Sequence, residues 1–236
     1  MDALNGQVGH TQIPTADGKA LSARERQAEG WRRLIDFSGI PPSYHMAHMR
    51  DLEAVEGDRE KASAVEVMRA YAESGKIDTQ GYDQYCLLLS GGFGTGKTHA
   101  ATAVFKDRLW KASNNSAMWR KYPAFIREVQ STYSAAADRT VQQVLAAYQK
   151  TPLLLLDDVG DLTMGSETDD RRRLVYEVID YRNDHFLPTI ITTNLNGAQL
   201  EEQFGERTWE RIRFMCCLLR MEGTNLRRQP LTEMTD

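Results

Sequence analysis

Leu87-Leu88-Leu89-Ser90-Gly91-Gly92-Phe93-Gly94-Thr95-Gly96-Lys97-Thr98 decides how the rest of this chain is read. An apolar run of strand character gives way to a glycine-rich turn and then to the start of a helix. Gly91, Gly96, Lys97 and Thr98 fit the phosphate-loop pattern G-x-x-x-x-G-K-[ST] without a mismatch. Glycines let the backbone take positive φ and approach a phosphate with no Cβ in the way. The loop's N–H groups and the positive end of the following helix then face the anion. Lys97 is placed to reach the β- and γ-phosphates, and the Thr98 hydroxyl to meet Mg²⁺. The whole loop, Gly91, Gly92, Phe93, Gly94, Thr95, Gly96, Lys97 and Thr98, is read as the binding site for ATP.

Buried-strand patterns alternate with helical ones on either side of that loop. Strands are expected over Tyr85–Ser90, Ala117–Tyr122, Leu153–Asp158, Thr189–Asn194 and Cys216–Met221. Helices are expected from about Gly96 to Trp110, from Pro123, over Thr140–Gln149 and Asp169–His185, and in two short pieces over Gly197–Gln203 and Glu206–Phe214. The alternation predicts an α/β fold with a parallel sheet. Ligands of such sheets sit at the carboxyl ends of the strands, where the glycine loop lies.

The run Leu153-Leu154-Leu155-Leu156-Asp157-Asp158 ends at the same edge. Four leucines bury a central strand, and the acids that follow point at the phosphate site. Asp157 is read as a Mg²⁺ ligand and Asp158 as the general base that polarises the attacking water. Asn194 ends the next strand and is placed to orient that water or touch the γ-phosphate. Alone, an acid pair or an Asn there could be a helix cap or a turn; the upstream phosphate loop favours the functional reading.

Upstream of the core, residues 1–20 are polar and glycine-containing and are expected to form a flexible tail. Ser22 and Glu25 have capping-box spacing, so a helix follows, with Trp31, Leu34 and Ile35 on one face and Gly39 as its stop. That face either packs on the main domain or meets a partner protein, and its place outside the nucleotide core favours the partner. Pro41-Pro42 forms a stiff link. A further helix is expected from Asp58 to Ser74, with Gly75 as its stop. Two parts follow: 1–38, a tail and helical arm, and 39–236, the nucleotide-binding domain. His45 and His48 have no third ligand nearby and read as packed or solvated side chains.

Composition excludes several classes. The 236 residues carry a formal net charge of −4, which argues against coating nucleic acid by bulk charge and leaves room for a local basic patch. No apolar run approaches the ~20 residues a bilayer needs, and the N-terminus shows no signal-peptide pattern. The three cysteines, Cys86, Cys216 and Cys217, are an odd, sparse set that suits a reducing cytoplasm.

Taken in order, Gly91–Thr98, Leu153–Asp158, Thr192-Thr193-Asn194 and Gly205-Glu206-Arg207-Thr208-Trp209-Glu210-Arg211 resemble the AAA+ ATPases of the DnaC/IstB type. Gly39-Ile40-Pro41-Pro42 and Glu222-Gly223-Thr224-Asn225-Leu226-Arg227 are similar to that group as well, so the likeness covers residues ~39–228. The resemblance implies a three-layer α-β-α core with a reduced or absent helical lid. It implies that Arg211 is an arginine finger acting on a neighbouring subunit's ATP, with Arg207 as the near alternative. Arg227 would be a sensor arginine on the phosphates, although Leu226 stands where the group usually has Tyr. It further implies a cytoplasmic homo-oligomer around single-stranded DNA and a replicative hexameric helicase as partner. A transposition-assisting ATPase of the IstB type, with a transposase as partner, is the second reading. A small-molecule phosphotransferase is a third, disfavoured by the Asp157-Asp158/Asn194/Arg211 set. Trp119, Arg120, Lys121, Tyr122 and Arg171-Arg172-Arg173 are candidates for DNA contact, weighed against plain core and surface roles.

Overall fold

The computed structural model describes residues 22–52, 59–79, 81–111, 116–160 and 168–223. Helix α1 (Ala23–Ser38) starts at the expected capping box, where the Ser22 hydroxyl accepts from the Glu25 N–H and the Glu25 carboxylate accepts from the Ser22 N–H. It ends on Gly39 in the left-handed conformation, at φ 82°. Short 3₁₀ turns at Pro42–Tyr44 and Met49–Asp51 lead to α2 (Arg59–Ser74). A small antiparallel hairpin, β1 (Ile77–Thr79) and β2 (Tyr82–Gln84), comes before the main sheet. No sequence pattern announced the hairpin, because each strand is three residues long and mostly exposed.

The main sheet holds β3 (Cys86–Ser90), β4 (Ala117–Lys121), β5 (Leu153–Val159), β6 (Thr189–Thr193) and β7 (Cys216–Arg220), in the spatial order β4-β5-β6-β3-β7. Every pairing is parallel. Helices α3 (Lys97–Lys111), α4 (Tyr122–Ser131), α5 (Val141–Lys150), α6 (Asp169–Asp184), α7 (Gly197–Phe204) and α8 (Glu206–Met215) connect the strands. The strands read as unbroken apolar runs because both faces are covered. Leu87 and Leu89 enter one buried cluster with α2 and α3, while Leu88, Leu154 and Leu156 enter another with α4, α5 and α6. This is a three-layer α-β-α core around a parallel sheet, as the alternation of strands and helices predicts.

Helix α1 belongs to the first of these clusters. Ile35 is buried, and Trp31 and Leu34 pack against the core. Trp31 meets Trp110 of α3 edge-to-face with ring centroids 5.0 Å apart. The apolar face that the sequence offered to a partner is therefore turned onto the domain itself. Trp119 and Tyr122 are buried as well, and the Trp119 indole N–H donates to the Thr102 hydroxyl at 3.0 Å. Neither ring is available to stack on a nucleic-acid base.

Arg182 is fully buried in α6. Its guanidinium donates to the carbonyls of Tyr148 (2.9 Å), Gln149 (3.2 Å) and Thr151 (2.7 Å), which are orphan acceptors at the carboxyl end of α5. It also donates to Pro188 O at 2.6 Å and the Thr189 hydroxyl at 2.8 Å, and so ties two helices to the start of β6.

Candidate active site

The loop Gly91–Gly96 leaves the carboxyl end of β3 and enters α3 at Lys97. Gly91 sits at φ 146°, and a Cβ there would collide with the Met221 carbonyl. Met221 is held close because its N–H donates to Ser90 O at 2.7 Å, so the end of β7 passes directly over the loop. Gly96, at φ 89°, turns the chain into the helix. Thr95 is buried and its hydroxyl donates to Gly92 O at 3.1 Å, whereas Phe93 projects outward, 70% exposed.

The Lys97 ammonium folds back over this loop. It donates to Gly91 O at 2.8 Å, Gly92 O at 2.6 Å and Asn194 Oδ1 at 2.8 Å. An ammonium has no acceptor, so the Asn194 amide must present its oxygen to it. Asn194 follows β6, which lies beside β3 with Ser90 opposite Thr193. Two motifs almost a hundred residues apart in sequence are thus brought together by the pairing of β3 with β6 and joined by this hydrogen bond.

The acid pair sits on a bulge. Between Leu156↔Ile191 and Val159↔Thr193 the register of β5 against β6 slips, leaving Asp157 and Asp158 to face Thr192 alone. Asp158 takes φ 58°, in the left-handed region that Asp tolerates better than most residues. The Thr192 hydroxyl serves both acids: it donates to Asp157 Oδ1 at 2.6 Å and accepts the Asp158 N–H at 2.9 Å. Thr193 continues the clamp by donating to Val159 O at 2.7 Å.

Asp157 is completely buried, yet its Oδ2 makes no hydrogen bond of good geometry. Burial, and then the Asp158 charge, push its carboxyl up to about 6; the Thr192 and Thr98 hydroxyls and the Lys121 charge pull the other way. The pull from Thr98 puts that hydroxyl beside Asp157. A buried carboxylate oxygen without a donor, next to a threonine hydroxyl and below a phosphate-binding loop, fits a hard divalent cation with oxygen ligands. Asp158 is partly exposed and pairs with Lys121 at 3.5 Å.

Sequence reasoning missed the part Thr192 plays. Its one signal was position: a threonine ending an apolar strand that the topology sets beside the acid strand.

Arg211 lies on α8, away from the loop, and its Nε stands 2.9 Å from Asp180 Oδ1 on α6, an ion pair without the alignment of a hydrogen bond. Arg207, one turn earlier, is exposed and makes no ion pair among the described residues. Arg227 lies outside the described residues. Of the basic candidates for DNA contact, Arg120 pairs with Glu128 at 3.2 Å and Arg173 with Glu177 at 3.0 Å. Arg172 donates to the carbonyls of Gln203 and Glu202 at the end of α7. His45 is packed, its Nε2 3.0 Å from Ile40 O, and no cluster of metal-ligating side chains occurs among the described residues. All three cysteines are free thiols.

The family model described as "IstB-like ATP binding protein" matches residues 51–232, most of the chain and the whole of this site. The chain belongs to the IstB-like ATP-binding family. It is 29% identical over 175 residues to the replicative helicase loader DnaI of Bacillus subtilis, a match covering 69% of this chain and 51% of DnaI. It therefore spans about half the length of that relative. It is 26% identical over 203 residues to the replicative helicase loader DnaC of Escherichia coli K12, covering 82% of this chain and 74% of DnaC. Among solved structures, the replication initiator DnaA bound to AMPPCP and single-stranded DNA superposes with a TM-score of 0.61 at 19% identity, over 79% of this chain and 52% of that one. That likeness shows a shared fold. No helix among the described residues of this IstB-like protein is long and apolar enough to cross a membrane.

Proposed function

We propose that this protein is an ATP-hydrolysing AAA+ helicase loader that assembles on single-stranded DNA and helps place a hexameric replicative helicase during DNA replication. The observation that carries the reading is the single cluster formed by Lys97, Asn194, Thr192 and the Asp157-Asp158 bulge, in a chain related to DnaI and DnaC. The Gly91–Thr98 loop holds the phosphates of ATP through its backbone N–H groups and Lys97. Thr98 and Asp157 would hold Mg²⁺, which would supply positive charge to offset that of the phosphates. Asp158 accepts the proton of the attacking water, and Asn194 orients that water from the opposite strand. Arg211 or Arg207 reaches a neighbouring subunit's γ-phosphate in a homo-oligomer, and Arg227 approaches from the C-terminal side.

Residues 1–38 form the arm and 39–236 the ATPase domain; since the apolar side of α1 is packed, a partner would meet its outward side. The protein works in the cytoplasm, where its DNA and helicase are found. The family match itself favours a second reading, an IstB-type ATPase that assists a transposase.

The test is an ATPase assay with co-purification. Single-stranded DNA is expected to stimulate hydrolysis, Lys97→Ala to abolish it with the fold retained, and a replicative helicase to co-purify with the wild-type chain. Capture of a transposase with no helicase binding supports the second reading; an unchanged rate in Lys97→Ala overturns both.

A further inference from the structure

Beyond the phosphate loop, α3 carries Lys106, nine positions past Lys97 and roughly 14 Å further along the helix axis. The residue is 3% exposed. It donates to the carbonyls of His45 and of Ala47, the latter at 2.8 Å. An ammonium has three N–H donors, so two carbonyls leave one to spare. No carboxylate lies within ion-pair distance of Lys106 among the described residues. Asp51 is paired with Arg50 at 3.6 Å and Asp107 with Lys111 at 2.9 Å. Burial pulls the affinity of Lys106 for its proton down, with only the more distant Asp51 opposing. A buried cation held by neutral carbonyls alone is a costly arrangement unless an anion completes it.

The same side chain lines a cavity of about 410 Å³ between α1, α3 and the segment Ala47–Met49. The walls are mixed: Trp31 and Trp110 in edge-to-face contact, with Met49 and Ala103, form the apolar part, and Gln27 and Asp107, whose charge is met by Lys111, form a polar part. Arg24 and His48 stand at its edge. Arg24 is exposed and makes no ion pair among the described residues, so a second positive charge faces the opening. The volume lies in the ordinary range for small-molecule sites, and an apolar part joined by a few polar groups is their pattern as well.

We propose that this cavity is a binding site for a small aromatic carboxylate, whose acid group meets Lys106 and whose ring lies against Trp31 and Trp110. A cation of the same shape would meet the ammonium and Arg24 as like charges. A neutral ring would leave Lys106 without a counter-ion. A free aromatic acid and a peptide ending in an aromatic residue share this chemistry. The site is separate from the phosphate loop, and it links the packing of α1 to ligand occupancy.

The test uses the full chain and titrates phenylacetate by calorimetry and ligand-observed NMR, with phenethylamine as the cationic control. A short peptide ending in Phe with a free carboxylate identifies the peptide as the source if it saturates the site much more tightly than phenylacetate. Phenylacetate is expected to bind and phenethylamine not to. Lys106→Met should weaken binding about tenfold or more, the worth of one charge-assisted hydrogen bond. Because Lys106 also holds two carbonyls, two further variants leave it in place: Ala103→Leu, which fills the cavity and should abolish binding, and Arg24→Glu, at an exposed position, which should weaken it severalfold. Equal binding of acid and amine, or unchanged affinity in Ala103→Leu and Arg24→Glu, overturns the proposal. Competition by ATP also overturns it, by assigning the cavity to the nucleotide.

Discussion

The Lys97 ammonium and the Asn194 amide oxygen stand 2.8 Å apart and join the loop after β3 to the end of β6. With the Gly91 and Gly92 carbonyls, Asn194 holds the lysine over the loop where a γ-phosphate is to arrive. Asn194→Ala should therefore leave ATP binding within a few-fold of wild type and slow hydrolysis about 10²-fold, the scale seen when one preorganised polar group is lost. Equilibrium binding of a fluorescent ATP analogue and steady-state phosphate release measure the two effects separately. A rate equal to wild type would remove Asn194 from the hydrolytic machinery.

Asp157 should set a pH limit. Its carboxyl is raised to about 6, chiefly by burial. A raised folded-state value means that the stabilising contribution of the protonated form is complete below the unfolded value near 3.8 and is lost as pH rises through about 6. At pH 7 the nucleotide-free protein thus carries an ionised, buried carboxylate at a cost of up to ~3 kcal/mol. Asp157→Asn should raise the melting temperature of the nucleotide-free chain at pH 7 and have little effect near pH 4. Mg²⁺ competes with the proton, so Mg²⁺-dependent ATP affinity should fall as pH drops through about 6 in wild type. Thermal scans across pH, with and without Mg²⁺, check both signs.

Thr192 should matter to both acids at once. Thr192→Val keeps the shape and β propensity but removes the donor to Asp157 and the acceptor for the Asp158 N–H. A loss of about 1–3 kcal/mol is expected from the buried groups left unpaired, with hydrolysis falling as Asp158 leaves its φ 58° conformation. Thr192→Ser restores the hydroxyl and should recover most of both. Urea denaturation and ATPase rates on the two variants decide this; equal behaviour of Val and Ser would show that the hydroxyl is dispensable.

The arginine pair predicts a shared active site. Arg211 is paired with Asp180 on its own chain and would have to leave it to reach a neighbour, whereas Arg207 is exposed and makes no ion pair among the described residues; both lie on α8, so a neighbour would be met through that surface. Mixing Lys97→Ala with Arg211→Ala, and separately with Arg207→Ala, should restore activity in the pair that contains the true finger. An arginine of this kind is worth ~10³–10⁵ in rate, so recovery is easily seen above background. No recovery in either mixture, with both arginine variants fully active alone, would rule out a finger on α8.

Helix α1 should behave as part of the domain. Trp31→Ala removes one half of the Trp31–Trp110 contact and should destabilise the chain by about 2 kcal/mol, less than a fully buried tryptophan would cost. Loss of helicase co-purification at unchanged stability would instead show that Trp31 serves a partner.

Much was legible in the order of residues alone. The phosphate loop, the leucine strand with its two acids, the alternation of strands and helices and the capping box of Ser22 and Glu25 depend on local chemistry: glycine's tolerance of positive φ, apolar runs buried on both faces, and side chains reaching N–H groups three residues on. What remained hidden depended on contacts between distant segments. The sheet order β4-β5-β6-β3-β7 put Thr192 opposite the acids and Asn194 over Lys97. Whether Trp31, Trp119 and Tyr122 were ligand-facing or core was equally open, because a helix face or a strand residue looks the same from its own neighbours whichever surface covers it. Packing decided it: these rings bury their area against α3 and the two core clusters, and only the assembled sheet provides those surfaces.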